Sequence, residues 1–292
     1  MTVSTTTTAP VDLETDLLLV PLTTEPADPL MDALASTLGA AVARAAEDFD
    51  GEGGEVQVAY PEHAEARRVA LVGLGAVADL DAEAVRTAAA AGGDAAHEVE
   101  ADAVAGLLPQ EGDLDDETAA QALVEGVLLG AYRYREYKTD DAFEGPTAVV
   151  VPVGEEQDDE AVAAGTQRGH HLAAATCTAR NLVNRSPDDK TAEAFADLVA
   201  ASGAEHGYDV ETWDEDRIRA EGMGGLLAVN RGSFDPPTVS ILSWRPDAAA
   251  NDRPVVVVGK GVMFDTGGLS LKDTKGSMDK MKSDMGGAAA VV

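Results

Sequence analysis

Cysteine is almost missing from this sequence: Cys177 is the only one in 292 residues. An internal disulfide is therefore impossible, which fits a reducing compartment. Lysine is scarce too, with seven residues, so the 21 basic residues are mostly arginine and face 53 acidic ones. The formal net charge of −32 repels phosphate and anionic lipid, which opposes nucleic acid and membrane surfaces as partners. Purely apolar runs such as Val255–Val258 are strand-sized and cannot cross a bilayer. The Thr-rich start, Met1–Asp12, carries no basic residue and no signal-peptide core. We expect a cytoplasmic protein. The five histidines show neither HExxH nor His/Cys ligand spacing, which argues against a His-ligated zinc site.

What is present is a globular composition. At 45% hydrophobic residues the chain can bury a real core, and its length suggests about two domains. The acidic charge is spread along the chain. Together with the scarcity of lysine and the many small residues, it points to adaptation to a salt-rich cytoplasm, where screening removes self-repulsion. Cys177 lies in an apolar helical stretch and reads as a small buried hydrophobe.

Strand-like and helix-like patterns alternate, which indicates an α/β architecture. Residues 1–10 read as a floppy tail. Asp16–Leu22, Glu55–Tyr60, Arg68–Val72 and Thr147–Val153 read as strands. Pro29–Asp48, Asp81–Ala91 and Asp116–Tyr132 read as helices, the second stopped by Gly92–Gly93. The acidic, turn-rich Gly154–Asp159 marks a boundary, giving an N-terminal domain over 1–155 and a second over 156–292. In the second, Glu160–Asn184, Thr191–Gly203 and Asp214–Glu221 read as helices. Val210–Trp213, Thr238–Trp244 and Pro254–Val258 read as strands, the last two separated by a polar loop.

Two glycine motifs are decoys. Gly73-x-Gly75-x-x-Ala78 follows a strand as a dinucleotide fingerprint does, but Asp79–Asp81 stands where a pyrophosphate would meet the helix. Val258–Gly261 lacks the spacing and the hydroxyl of a phosphate loop. The informative segment is Val255–Val292, which holds five of the seven lysines. Lys260 ends an apolar run, Asp265 precedes Gly267–Gly268, and Asp284 precedes Gly286–Gly287. Carboxylates such as Asp265 and Asp284 suit magnesium, manganese or zinc, and a lysine can join them only as a neutral amine.

Lys260-Gly261-x-x-Phe264-Asp265-Thr266-Gly267-Gly268, then Lys272, then Met281-Lys282-x-Asp284-Met285-Gly286-Gly287 resembles the signature of the leucyl (cytosol) aminopeptidases. Gly130–Thr139, Ala179–Pro187 and Met223–Pro237 are weaker echoes of the same family. The resemblance implies an N-terminal α/β domain of macro-domain type, then an α/β/α zinc-exopeptidase-like domain, here incomplete. It implies a hydrolase that releases N-terminal residues, leucine among them, from peptides with a free N-terminus. It makes Lys260, Asp265 and Asp284 ligands of a pair of divalent ions, Mn2+ or Zn2+. Lys272 becomes the catalytic lysine that stabilises the negative oxygen of the tetrahedral intermediate. It further implies a homo-hexamer, and a bicarbonate that assists proton transfer in the full-length form.

Two departures bear on these expectations. Twelve positions separate Lys272 from Asp284, where the family mostly has eleven, which places an insertion in the Asp273–Ser277 loop. The sequence also lacks the downstream family motif that supplies an Asp ligand, a bridging Glu ligand and the bicarbonate-binding Arg. We therefore expect a C-terminally truncated chain that is inactive alone, since three ligands hold two ions poorly. Alternatively, the N-terminal domain acts as a small-molecule or protein binding module. A DNA-binding role, known for some family members, is opposed by the charge.

Overall fold

The computed structural model describes residues 1–140, 142–249, 253–269 and 271–292. Part of the predicted polar loop, residues 250–252, lies outside that set. The chain forms two compact units, Met1–Cys177 and Thr178–Val292.

The first unit is built on a six-stranded sheet. Its strands are β1 (Thr2–Thr6), β2 (Leu17–Thr23), β3 (Val56–Ala59), β4 (Val69–Gly75), β5 (Ala103–Gly106) and β6 (Ala148–Pro152). Their spatial order is β1-β6-β5-β2-β4-β3, parallel except for β3 at the edge. β2 is buried along its whole length, as a central parallel strand must be. Its side chains alternate between two cores. Leu17 and Leu19 pack on α3 (Ala82–Glu98), α4 (Asp116–Gly130) and the first part of α5 (Asp159–Asn184). Leu18, Val20 and Leu22 pack under α1 (Asp28–Leu38) and α2 (Ala40–Glu47). The result is the expected α/β layering.

Four local expectations need correction. Residues 2–6 are no tail: they form β1, in parallel register with β6 from Thr2 opposite Ala148 to Thr6 opposite Pro152. The predicted helix over Pro29–Asp48 is broken at Gly39, whose φ of 101° no helix tolerates. Gly92–Gly93 do not stop α3, because the helix needs them for packing. A Cβ on Gly93 would strike the Val127 carbonyl oxygen, and one on Gly130 would strike that of Ala90, so α3 and α4 meet backbone to backbone. Cys177 is half-buried rather than buried. β5 had no prediction; its four residues are too short for a pattern.

After β4 the chain passes through a 3-10 turn at Val77–Asp79. α3 then begins at an Asp81 cap, whose carboxylate accepts from the N–H groups of Glu83 and Ala84, both at 2.9 Å. An aspartate thus fills the position that a pyrophosphate would need.

The second unit contains the end of α5, then α6 (Ala192–His206), β7 (Asp209–Trp213), α7 (Glu215–Ala220), α8 (Gly224–Asn230), β8 (Val239–Ser243) and α9 (Gly286–Ala289). β7 and β8 form an antiparallel ribbon. A small core joins Leu182, Phe195, Val199, Met285 and Ala289. The predicted strand Pro254–Val258 is absent. No strand lies beside it among the described residues, so it has no ladder to join. Its four valines stay 68–89% exposed.

Candidate active site

Two backbone segments cross in the second unit and carry the predicted residues toward each other. Gly259 lies against the 286–288 turn so closely that a Cβ on it would sit 2.5 Å from the Gly287 carbonyl oxygen. The Ala288 N–H donates to the Lys260 carbonyl at 2.9 Å and locks the crossing. At position 259 only glycine permits this approach, and a Cβ on Gly287 would sit 3.0 Å from the Lys260 nitrogen. Across it, Lys260 Nζ donates to Asp284 Oδ1 at 2.6 Å.

Asp265 sits at the entrance to a sharp turn. Its Oδ1 accepts from the Gly267 N–H at 2.7 Å, and Gly267 has a φ of 75°. The chain then returns, with the Lys272 N–H bonded to the Thr266 carbonyl at 3.2 Å. Lys272 Nζ reaches the Asp265 carbonyl oxygen at 2.9 Å and Oδ2 at 3.1 Å. Its third neighbour is the Met281 thioether at 3.2 Å. The hydrogen bond from the Gly267 N–H, followed by the hydrogen bond and charge of Lys272, holds the Asp265 carboxyl below the usual carboxylate range. The structure thus forms two ion pairs, Lys260 with Asp284 and Lys272 with Asp265, and Lys260 adds a weak attraction for Asp265.

Between Lys272 and Asp284 the chain makes a tight turn. The Met278 and Asp279 N–H groups donate to the Asp273 and Thr274 carbonyls, and Gly276 takes a φ of 82°. A 3-10 turn over Met278–Ser283 then delivers Asp284.

Sequence reasoning missed one residue here. Lys190 is fully buried, and its Nζ donates to the carbonyls of Leu182, Val183 and Lys282 at 2.7, 3.1 and 2.7 Å. Burial first, then Lys282 and Arg185, pushes its pKa down to about 8. The available signal was a lysine in a chain that avoids lysine, outside the Lys-rich segment.

As a metal donor set, two carboxylates and one amine suit a borderline divalent ion. Among the described residues, no three His, Cys, Asp or Glu side chains gather to hold a metal. The candidate set reaches three donors only by counting Lys260, which must then lose a proton and leave Asp284. An open depression of about 310 Å3 lies on the β7–β8 ribbon, lined by Asp209, Glu211, Ile241 and Arg245. None of the four predicted residues lines it.

Comparison with known proteins identifies the family. Residues 177–292 match the model of the cytosol aminopeptidase family, catalytic domain, and residues 22–141 that of the family's N-terminal domain. The probable cytosol aminopeptidase of Chloroherpeton thalassium is 34% identical, over all of this chain and 60% of its own length. That of Syntrophotalea carbinolica is 35% identical, over 96% of this chain and 57% of its own. Among solved structures, the bottromycin maturation enzyme BotP in complex with Mn is 34% identical, with a TM-score of 0.77 over 94% of this chain and 54% of that one. A mutant of tomato leucine aminopeptidase, at 24% identity, shares the fold with a TM-score of 0.83 over the whole of this chain and 58% of that one. The chain spans little more than half the length of the relatives it matches. Two matched domain models, full-chain similarity to these relatives and the shared fold lead to one conclusion: the chain belongs to the cytosol aminopeptidase family.

Proposed function

We propose that this chain carries part of the active site of a metal-dependent aminopeptidase that releases N-terminal residues, leucine among them, from peptides. The observation behind this reading is the pairing of Lys260 with Asp284 across the Gly259–Gly287 crossing, and of Lys272 with Asp265 in the turn that follows Lys260 in the chain. In this reading Lys260, Asp265 and Asp284 ligate Mn2+ or Zn2+. Manganese is favoured by its presence in the BotP complex. Such ions polarise a carbonyl and lower the pKa of water. Asp265, held ionised by Gly267 and Lys272, offers its carboxylate without a proton to displace.

Lys272 is the group that meets developing negative charge. Two of its neighbours are strong oxygen acceptors, while the third is the weakly accepting thioether of Met281. A substrate oxygen replaces that weakest contact.

The same reading includes peptide substrates with a free N-terminus, a cytoplasmic location and a homo-hexamer. The relatives' designation as cytosol aminopeptidases supports the first two. No helix among the described residues is long and apolar enough to cross a membrane. The 292-residue chain by itself is proposed to be inactive, because three donors do not hold two ions firmly.

Titration calorimetry with Mn2+ in concentrated KCl tests the donor set. Binding that disappears in Asp265→Asn and Asp284→Asn supports it, and binding that survives both overturns it. Hydrolysis of a leucine anilide tests activity, and robust metal-dependent turnover by the 292-residue chain defeats the inactivity proposal.

A second reading, ligand binding by the first unit, rests on a depression of about 190 Å3 just after β5 that includes Gln110, Glu111 and Asp116. Its carboxylates oppose a phosphate. Calorimetry against ADP-ribose decides, and a flat trace removes that ligand.

A further inference from the structure

We propose that Lys190 is a positioning residue that ties the segment carrying Asp284 to the end of α5. The inference rests on the reading above, in which Asp284 binds a divalent ion.

Lys190 donates to two partners on one element and one on another. Leu182 and Val183 are in the last turn of α5, whose final carbonyls have no partner within the helix. Lys282 lies two residues before Asp284. The Met285 sulfur, 3.5 Å from Nζ, lies one residue after it. A single buried ammonium therefore bonds the chain two residues before Asp284 to a helix terminus, with the Met285 sulfur packed beside it. A lysine has three N–H donors, and three backbone carbonyls take them. The cation also sits where the α5 dipole is negative.

Packing alone does not call for a cation here. The surrounding core contains Leu182, Phe195, Val199 and Met285, and an apolar side chain would fill the same space without an ion being desolvated. No carboxylate appears among its bonded partners. What the lysine adds over an apolar residue is its three directed bonds. A second strap runs the other way, from Lys282 Nζ to the Asn184 carbonyl at 3.4 Å. The 3-10 turn is thus held to α5 by a lysine from each side, and Lys190 makes the shorter and more numerous bonds. With Asp284 fixed in this way, its Oδ1 meets Lys260 without searching.

The test compares the full 292-residue chain with Lys190→Met and with Ile218→Ala, in concentrated KCl. Ile218 is fully buried in α7, an element packed chiefly on β7 and α8, and serves as a core truncation elsewhere in the unit. Hydrogen exchange is read at the Lys280 and Asp284 amides, both of which are hydrogen-bonded within the turn. Mn2+ affinity is read by calorimetry. We expect Lys190→Met to accelerate exchange at these amides at least tenfold and to weaken Mn2+ binding about tenfold. Ile218→Ala should lower the unfolding midpoint and do neither. Unchanged protection at 280 and 284 in Lys190→Met overturns the proposal, as does equal loosening in Ile218→Ala. If the parent chain binds no Mn2+, the metal reading falls, and the exchange comparison still decides whether Lys190 is the tether. If Lys190→Met does not fold, Lys190→Gln, which keeps two donors, takes its place under the same criteria.

Discussion

Gly259 and Gly287 meet backbone to backbone, and through that contact Lys260 and Asp284, 24 residues apart, come within a hydrogen bond. A methyl group on Gly259 cannot be accommodated by a side-chain rotation, because its neighbours are main-chain atoms. Gly259→Ala should therefore separate the two segments, cost about 1–3 kcal/mol of stability and weaken Mn2+ binding by more than tenfold. Urea unfolding and calorimetry check the two effects. An alanine variant with unchanged metal affinity would show that the crossing does not set the site.

The acid response of the Asp265 turn has a definite sign. The carboxyl is held below its ordinary 3.8, so between that value and its lowered one the unfolded chain binds more protons than the folded chain. Stability from this group is complete above 3.8 and is lost as pH falls through the lowered value. The Gly267 amide resonance should titrate with a midpoint below 3.8. Because the Gly267 bond persists when the lysine is removed, Lys272→Met should raise that midpoint only in part. A midpoint that returns fully to 3.8 in this variant would show that the Gly267 bond does not hold the carboxylate.

Gly93→Ala tests the contact between α3 and α4. The new methyl meets the Val127 carbonyl, with no flexible atom to give way. We expect a loss of about 1–3 kcal/mol or more, seen as a lower urea midpoint. Gly53→Ala is the matching control. It has open space around it and no positive φ, and it should leave the midpoint nearly unchanged.

The domain boundary can be tested by truncation. Val162, Thr166 and Ala173 of α5 are buried, two of them in the core of the first unit, although the acidic turn before them marks the predicted boundary near 155. A fragment ending at 177 should melt several degrees above one ending at 155, since one large apolar side chain alone contributes about 1.5–3 kcal/mol. Equal melting points would favour the earlier boundary.

Legibility in the sequence followed the range of the interactions. β2, β4, α5 and α6 carry their own hydrophobic pattern and lie close to where it puts them. The proposed site residues stand out in the sequence because they lie in one short segment that resembles the family signature. What escaped depended on distant partners. Gly92–Gly93 look like a stop until α4 is placed beside them. Pro254–Val258 look like a strand, but a strand exists only beside another. Lys190 has an ordinary polar neighbourhood in sequence, and its role depends on Lys282, 92 residues away.

β1 sets a clock on the first unit. Thr2 finds its partner at Ala148, so β1 waits for about 146 further residues to be synthesised before it can pair. At about 5–20 residues per second that delay is roughly 7–30 s. During it β1 is an unpaired Thr-rich segment, because β6 is absent. Anything attached ahead of Thr2, such as an affinity tag, acts throughout that interval on the strand that completes the sheet.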